Sequence, residues 1–445
     1  MKKSSEKTLL TNGFVITCDE KFRHFENGFV SIAGNRIDRV GSTKEAAPRK
    51  SAYDRVIDVK NHVVMPGLVS LHFHSDNLSR GVGEHMGLEE WLDRIYYPML
   101  AAMEPKHSRI ASSLAYAEAI KSGTTCANDM YRHIIACAES AEKMGIRTIL
   151  SSEAADLIPR QESLEDNEEA FRRKNNSADG RIKVWFGVEW IPVCSQEFLR
   201  KARELASKYR TGIHIHLNES SDEVKICKEK NGGLAPTELA HKLGVLGPDV
   251  VAAHCVWLND EEISMMKETG TSVSHNPVSN MKLGNGIARV SEMLEAGINV
   301  GLGPDDAPCN NTVDMFEVMK FASLAQKARL LDASQLPSEQ IIRMATINGA
   351  KALGLEAEIG SLEAGKKADV ITINLQTPRL TPVIAGKHSN VFAHVVYSAH
   401  GEDVDNSIID GRLVMKDRKL VTADEKTLIK NATRASHDLI SRVLK

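Results

Sequence analysis

The sequence contains no CxxC pair and no cysteine cluster. Its seven cysteines, at positions 18, 126, 137, 194, 227, 255 and 309, are scattered and odd in number. That distribution excludes a disulfide framework and a cysteine-type zinc site, and it suits a reducing compartment. An excess of charge is missing too. Fifty-six lysines and arginines face 59 aspartates and glutamates, a formal net charge of −3. So even a balance argues against a nucleic-acid-coating surface and against a polybasic membrane anchor. No apolar run approaches the ~18 residues of a membrane span. In the opening MKKSSEKTLLTNGFVITC, the residues Glu6, Lys7, Thr11, Asn12 and Gly13 interrupt any signal-type apolar stretch. A cytoplasmic protein with neither a membrane nor a nucleic-acid partner is expected. No solenoid period and no low-complexity tract occurs. What remains is a chain of 445 residues, 42% hydrophobic and 26% charged, the composition of a globular protein with a substantial core.

The first sixty residues alternate short apolar runs with turn residues: FVITC (14–18), GFVSIAGNRIDRVG (28–41) and VIDVKNHVVMPG (56–67). Alternating apolar and polar positions punctuated by Gly or Asn predict small antiparallel strands. ADVITINL (368–375), FAHVVYSA (392–399) and SIIDGRLVMKDRKL (407–420) repeat the texture towards the other end. Between Leu68 and Leu355 the pattern changes to strand-like runs separated by amphipathic stretches, such as IASSLAYAEAIKSG (110–123) and SQEFLRKARELASKY (195–209). That alternation is characteristic of βα units around a parallel sheet. Eight strand candidates can be counted, at 67–74, 123–129, 147–152, 183–189, 212–219, 250–254, 271–275 and 299–305. They predict an α/β protein with a (β/α)8 TIM-like barrel over 66–355 and catalytic groups at the C-terminal strand ends. The charged stretch 158–182 reads as a solvated helix and loop after the third strand.

Polar groups gather at those ends. His72 and His74 close the first strand candidate as HxH, and residues two apart on a strand share a face, so both imidazoles can reach one ion. A lone HxH is a weak signal, because surface pairs of this kind are common. The spacing returns, however, in His214 and His216 of the fifth strand candidate, and His254, His275 and Asp305 end the sixth, seventh and eighth. Five of eight strand candidates thus finish in a metal-capable side chain, always imidazole or carboxylate, which predicts a catalytic metal site. His214 lies one layer deeper than His216 and reads as a packed interior histidine. His85 and His133 sit in loops, as substrate contacts or as plain surface groups. Asp306 faces away or caps the next turn. Asp129, ending the second strand, has the placement to orient a ligand histidine from behind.

The segments MPGLVSLHFH, SGTTCAND, HIHLNES, AHC, SHNPVSNMKLGNGIA, GLGPDDAPCNN, MATINGAKALGL and IGSLEAGKKADVITIN follow one another across nearly the whole chain. Together they resemble the amidohydrolase superfamily, in its branch of nucleoside (methylthioadenosine/S-adenosylhomocysteine), guanine and triazine aminohydrolases and chlorohydrolases. The resemblance implies that residues 1–65 and 356–445 join into a composite β-sandwich beside the barrel. It also implies one divalent ion, zinc or alternatively iron, held by His72, His74, His216 and Asp305, a set that leaves a position for water. Strand 4 ends in Val188-Glu189-Trp190, without the lysine that binuclear members use, so a single ion is expected. By the same resemblance Glu219 protonates a ring nitrogen, His254 positions the activated water and His275 contacts the attacked centre. Asp305 passes a proton from water to departing ammonia. The ion lowers the water's pKa towards ~7, and the water attacks the carbon that bears the amino group. The expected activity is removal of an amino group from an N-heterocycle by a homo-oligomeric hydrolase.

Three departures from the nucleoside-deaminase pattern bear on the substrate. Those relatives read RGxAEDLxxxxWL and then P-x-E, whose glutamate grips ribose; here Pro98-Met99-Leu100 puts Leu100 at that place. They carry P-H-A-P beyond strand 4, where this chain has Glu189-Trp190-Ile191-Pro192. The HxH is followed by polar Ser75-Asp76-Asn77. These differences favour a flat, ribose-free amino-triazine, pyrimidine or purine base, with Trp190 stacking, Glu189 accepting exocyclic N–H groups, and His85 and Asn77 as further substrate contacts. Leu100 and Trp190 read equally well as packing residues. A methylthioadenosine/S-adenosylhomocysteine-type deaminase and a triazine-type chlorohydrolase are the alternatives. A non-enzymatic scaffold is disfavoured, because every ligand position is filled.

Overall fold

A computed structural model gives the fold for residues 6–46 and 49–444. The first residues of the MKKSS opening, on which the expectation about a leader partly rests, lie outside the described residues. Five strands come first: β1 (Lys7–Ile16), β2 (His24–Ala33), β3 (Arg36–Ser42), β4 (Arg55–Asp58) and β5 (His62–Pro66). Two parallel sheets follow. One contains β6 (Leu68–Phe73), β7 (Thr124–Tyr131), β8 (Arg147–Ser152) and β9 (Ile182–Val184). The other contains β10 (Phe186–Trp190), β11 (Ile213–Leu217), β12 (Val250–His254), β13 (Ser272–His275) and β14 (Val300–Leu302). Every residue of β6, β7, β8, β11 and β12 is buried, as happens when a parallel sheet is covered on both faces.

The strand candidate at 183–189 is interrupted at Trp185, whose N–H donates to Leu150 O at 2.8 Å while that of Phe186 donates to Gly212 O at 2.9 Å. The chain therefore steps from one parallel sheet to the next within a single residue. Gly187 makes this approach feasible, since a Cβ there would lie 1.9 Å from Ser152 O. At the opposite edges a parallel bridge joins Phe73 to Asp305. The helix Gln196–Tyr209 shows how the covering layer forms. Phe198, Leu199, Ala202, Leu205 and Ala206 make one apolar face, and Ser195 caps its first turn by accepting the Phe198 N–H at 3.1 Å.

Both chain ends build one nine-stranded mixed sheet, ordered β18-β17-β16-β15-β5-β1-β2-β3 with β4 paired to β1. Its later strands are β15 (Val370–Asn374), β16 (Val404–Ile409), β17 (Arg412–Lys416) and β18 (Lys419–Leu420). Hydrogen bonding runs continuously through it, around an apolar cluster that includes Leu10, Val30, Ile37, Val64, Val370 and Ile408.

One expectation fails here. FAHVVYSA is helical, over Val391–Ala393 and His394–Ser398: the buried Val391, Val395 and Val396 recur at helical spacing, and Tyr397 OH bonds Ser323 Oγ at 2.8 Å. The C-terminal flank is also not purely β, because Glu425–Val443 forms a 19-residue helix that packs on the helix Pro105–Lys121. Among the described residues, no helix is long and apolar enough to cross a membrane.

Candidate metal centre and active site

The C-terminal ends of the parallel strands meet in one buried cluster. β6 delivers His72 and, just beyond it, His74; β11 delivers His216; β12 ends in His254; Asp305 follows β14. Ligand atoms of His72, His74 and Asp305 lie within 4.8 Å of one another, as do those of His72, His216 and His254. Asp305 and His254 hold φ of 67° and 73°, a left-handed conformation that non-glycine residues rarely adopt and that concentrates at functional sites.

The tautomers follow from the hydrogen-bond network. His74 Nδ1 lies 2.9 Å from Glu153 Oε1, and His216 Nδ1 meets the main-chain carbonyl of Glu189. A carbonyl only accepts, so His216 Nδ1 carries the proton and its Nε2 presents a lone pair; the Glu153 carboxylate beside His74 Nδ1 favours a proton there, which leaves Nε2 as the atom turned to the cluster. Yet these Nε2 atoms lie 3.2 Å apart, and His72 Nε2 is 3.2 Å from that of His74. Asp305 Oδ1 is 3.2 Å from His72 and 3.4 Å from His74. Lone pairs and a carboxylate this close repel unless a cation lies among them. Three imidazoles and a carboxylate are the donor set of a catalytic divalent-metal site, and the residues fit such an ion. His254 adds a further nitrogen: its Nδ1 donates to Asn280 Oδ1 at 2.8 Å, and its Nε2 lacks a hydrogen-bond partner among the described residues. His214 backs His72, with Nε2 2.9 Å from His72 Nδ1, the interior role its depth predicts.

Burial holds the imidazoles of His72, His216 and His254 below their ordinary range, so they stay neutral. Burial also pulls His74 down, but the hydrogen bond and charge of Glu153 and the charge of Asp305 outweigh it and raise the group well above its ordinary value. Glu219 is raised well above the usual carboxyl range by burial, then by the charges of Asp305 and Glu223, which favours its acid form. Its Oε1 accepts from Asn285 Nδ2 at 2.9 Å, and its Oε2 lies 3.6 Å from His254 Nε2. Burial, followed by the charge of His254, pushes His275 down to about 3, and both its ring nitrogens lack partners among the described residues.

A cavity of about 40 Å³ lies over the cluster, floored by His74, His216, Glu219, His254 and Asp305 and roofed by Leu88, Trp91, Leu92, Tyr96 and Tyr97. Glu189 and Trp190 line its wall. Burial and the charge of Glu153 push Glu189 up to about 8, and Tyr97 OH donates to its Oε1 at 3.2 Å.

The other two expected substrate contacts are not brought to this cavity. His85 is exposed in the loop before the roof, and Asn77 turns its Nδ2 to Glu118 Oε2 at 3.3 Å. Their loop follows β6 outward, beyond the reach of the strand-end geometry that aims His72 and His74. His133 bonds Ser108 Oγ at 2.9 Å and lines a different cavity. Leu100 is packed in the apolar core and does not line the cavity. It therefore provides no argument about ribose.

Asp306 caps the turn Ala307–Asn310, as expected. Asp129 holds Ser75 and Tyr116 and not a ligand histidine; Glu153 has that contact instead. Sequence reasoning missed Glu153, which immediately follows RTILSS. It also missed Ser279, Asn280 and Asn285, which sit inside SHNPVSNMKLGNGIA and bond Asp305, His254 and Glu219.

Strand-end histidines, a carboxylate and two parallel sheets together define a metal-dependent hydrolase scaffold. Residues 63–414 match the model of the amidohydrolase family, and the chain belongs to that family. It is 40% identical over 440 residues to a 5'-deoxyadenosine deaminase of Methanosarcina mazei, covering 98% of this chain and 99% of that one. It is 40% identical over 424 residues to a 5-methylthioadenosine/S-adenosylhomocysteine deaminase of Acetivibrio thermocellus, covering 94% and 96%. The crystal structure of an adenosine deaminase from Xanthomonas campestris with bound zinc superposes with a TM-score of 0.90 at 26% identity, covering 98% of each chain.

Proposed function

We propose that this protein is a zinc-dependent aminohydrolase that removes the exocyclic amino group of an adenine nucleoside, with 5'-deoxyadenosine and 5'-methylthioadenosine as the leading candidates. The observation that carries the reaction type is a buried Glu219 carboxyl, bonded to Asn285, beside three imidazoles and a carboxylate that converge on one point. When bound, a divalent ion lowers the pKa of a coordinated water to about 7 and so supplies the nucleophile. His72, His74, His216 and Asp305 hold the ion. Glu219 donates its proton to a ring nitrogen of the substrate, which makes the amino-bearing carbon electrophilic. His254, neutral and fixed through Nδ1 by Asn280, would turn its Nε2 to the attacking water and position it. His275, ending β13, has ring nitrogens without partners among the described residues and would offer one of them to the reacting centre. Asp305, steadied by Ser279, would take the proton that the attacking water gives up and return it to the departing ammonia.

The nucleoside reading draws its support from the two relatives and from the loss of the Leu100 argument. A roof of Leu88, Trp91 and Leu92 offers mainly carbon to a substituent that projects into it, which suits a 5'-deoxy or methylthio group. The wall of Glu189 and Trp190 supports a second reading, an amino-substituted free base. Side-by-side kinetics with ammonia detection on 5'-deoxyadenosine, methylthioadenosine, S-adenosylhomocysteine, guanine and melamine test the choice. A nucleoside should win by tenfold or more in kcat/KM, and a free base winning by that margin overturns it.

The same reading includes the architecture. The abutment at Gly187 and the bridge from Phe73 to Asp305 support closure of the parallel strands into an eight-stranded barrel over 66–355, with β9 and β10 as one interrupted strand. The nine-stranded sheet of 1–65 and 356–445 folds over its apolar cluster as a sandwich. A homo-oligomer in the cytoplasm completes the proposal; size-exclusion chromatography with light scattering tests its assembly state.

A further inference from the structure

Glu153 follows β8 directly and is fully buried, its main-chain N–H donating to Tyr131 O at 3.1 Å. It does not line the cavity, so it contacts no substrate there. One of its oxygens, Oε1, has two neighbours: His74 Nδ1 at 2.9 Å and the hydroxyl of Tyr96, which donates to it. Tyr96 belongs to the roof, on the wide helical turn Leu92–Tyr96, with its ring 4.7 Å from that of Trp91. Tyr97 does the equivalent on the other side by donating to Glu189, whose carbonyl fixes His216. Glu89, also in the roof, accepts from Ser220 Oγ at 2.7 Å, next to Glu219. Consecutive roof residues thus grip the groups that orient two metal-capable histidines.

We propose that Glu153 and Tyr96 are positioning residues for His74, and that the roof segment sets the direction of this ligand through the Tyr96–Glu153 hydrogen bond. The free space of about 40 Å³ is far below the ~300–1,000 Å³ of a small-molecule site, so admitting a nucleoside requires the roof to lift. Lifting breaks the Tyr96 hydrogen bond and leaves Glu153 with one partner fewer. Closing restores it and fixes His74 in the tautomer that aims Nε2 at the ion. Substrate enclosure and ligand orientation are therefore one event.

The inference rests on the metal reading above, and chelator competition on the purified holoenzyme separates the two. Glu153→Gln should weaken zinc binding by about 10- to 100-fold, the usual scale for the hydrogen-bond partner of a ligand histidine. Tyr96→Phe keeps the ring and its packing, and it should weaken binding in the same direction by a few-fold. Because Tyr96 acts through Glu153, the double variant should match Glu153→Gln alone, whereas two merely structural effects would add. If the wild type holds no stoichiometric metal, the metal reading fails and takes this inference with it. If the wild type holds metal and Glu153→Gln binds it as tightly, or if the two effects add, the inference alone is overturned.

Discussion

At the scale of single residues, the division of labour between ligands and acid is directly testable. His216→Ala removes one converging lone pair from the cluster, so metal content by elemental analysis should fall from about one per chain to a small fraction, with activity lost alongside. Glu219→Gln should behave oppositely: metal is retained while kcat drops by roughly 10²-fold or more, the usual scale for a general acid. The pH profile carries the sign of the Glu219 shift. Its pKa is raised by burial and by neighbouring charge, so the acid form persists above the ordinary carboxyl range and is lost as pH rises through the raised value. kcat of the wild type should therefore decline on the alkaline side, and Glu219→Gln should lack that limb. The histidines were legible because an alternation of two needs no knowledge of the fold, and HxH, AHC and SHNP each end a recognisable strand. Glu153 was not, since its role depends on a neighbouring strand placing His74 2.9 Å away. Leu100 stayed ambiguous between ribose site and packing for a related reason: a helix residue faces the core or the cavity according to its rotation, which no loop alignment supplies.

At the scale of elements, the nine parallel strands all fall at the eight strand candidates, because burial on both faces writes them as short apolar runs between amphipathic stretches. FAHVVYSA was not legible as a helix, since its β-branched residues favour a strand while Val395 and Val396 sit in the helical turn His394–Ser398, which packs against Met315–Leu330. Tertiary packing decided there over local propensity. Glycines reveal where elements must touch. Gly303 lies between the strand that carries His72 and the residue that follows as Asp305, and a Cβ there would sit 2.7 Å from both Asn276 Oδ1 and His72 O. Gly303→Ala should force β6 and β14 apart, at about 1–3 kcal/mol of stability. Because the displaced atoms belong to a ligand residue, metal occupancy should fall as well. Calorimetry with metal analysis on the same sample checks both, and an unshifted, fully metallated variant would contradict the close approach.

At the scale of the whole molecule, the union of the flanking sheet with the parallel sheets was only half legible. Strand texture at both chain ends pointed to a composite unit, but its hydrogen-bonded continuity and the ion pair that ties it to β8 depend on contacts between distant segments. Arg147 opens β8, and Asp369 immediately precedes β15. Their bidentate pair, at 2.9 and 3.1 Å, is almost wholly buried. Asp410 reinforces it by donating its main-chain N–H to Asp369 at 2.8 Å. Asp369→Ala strands a buried guanidinium, which should cost about 3–5 kcal/mol, whereas replacing both partners in Arg147→Met/Asp369→Leu should recover most of that loss. Activity separates this joint from the catalytic site. Arg147 and Glu153 stand at opposite ends of one strand, roughly 20 Å apart at about 3.3 Å per residue. Below its melting temperature, Asp369→Ala should therefore keep wild-type metal content and kcat while its denaturation midpoint falls. A drop in kcat at full metal occupancy would mean instead that the flanking sheet reaches the active site, and that the two units do not act separately.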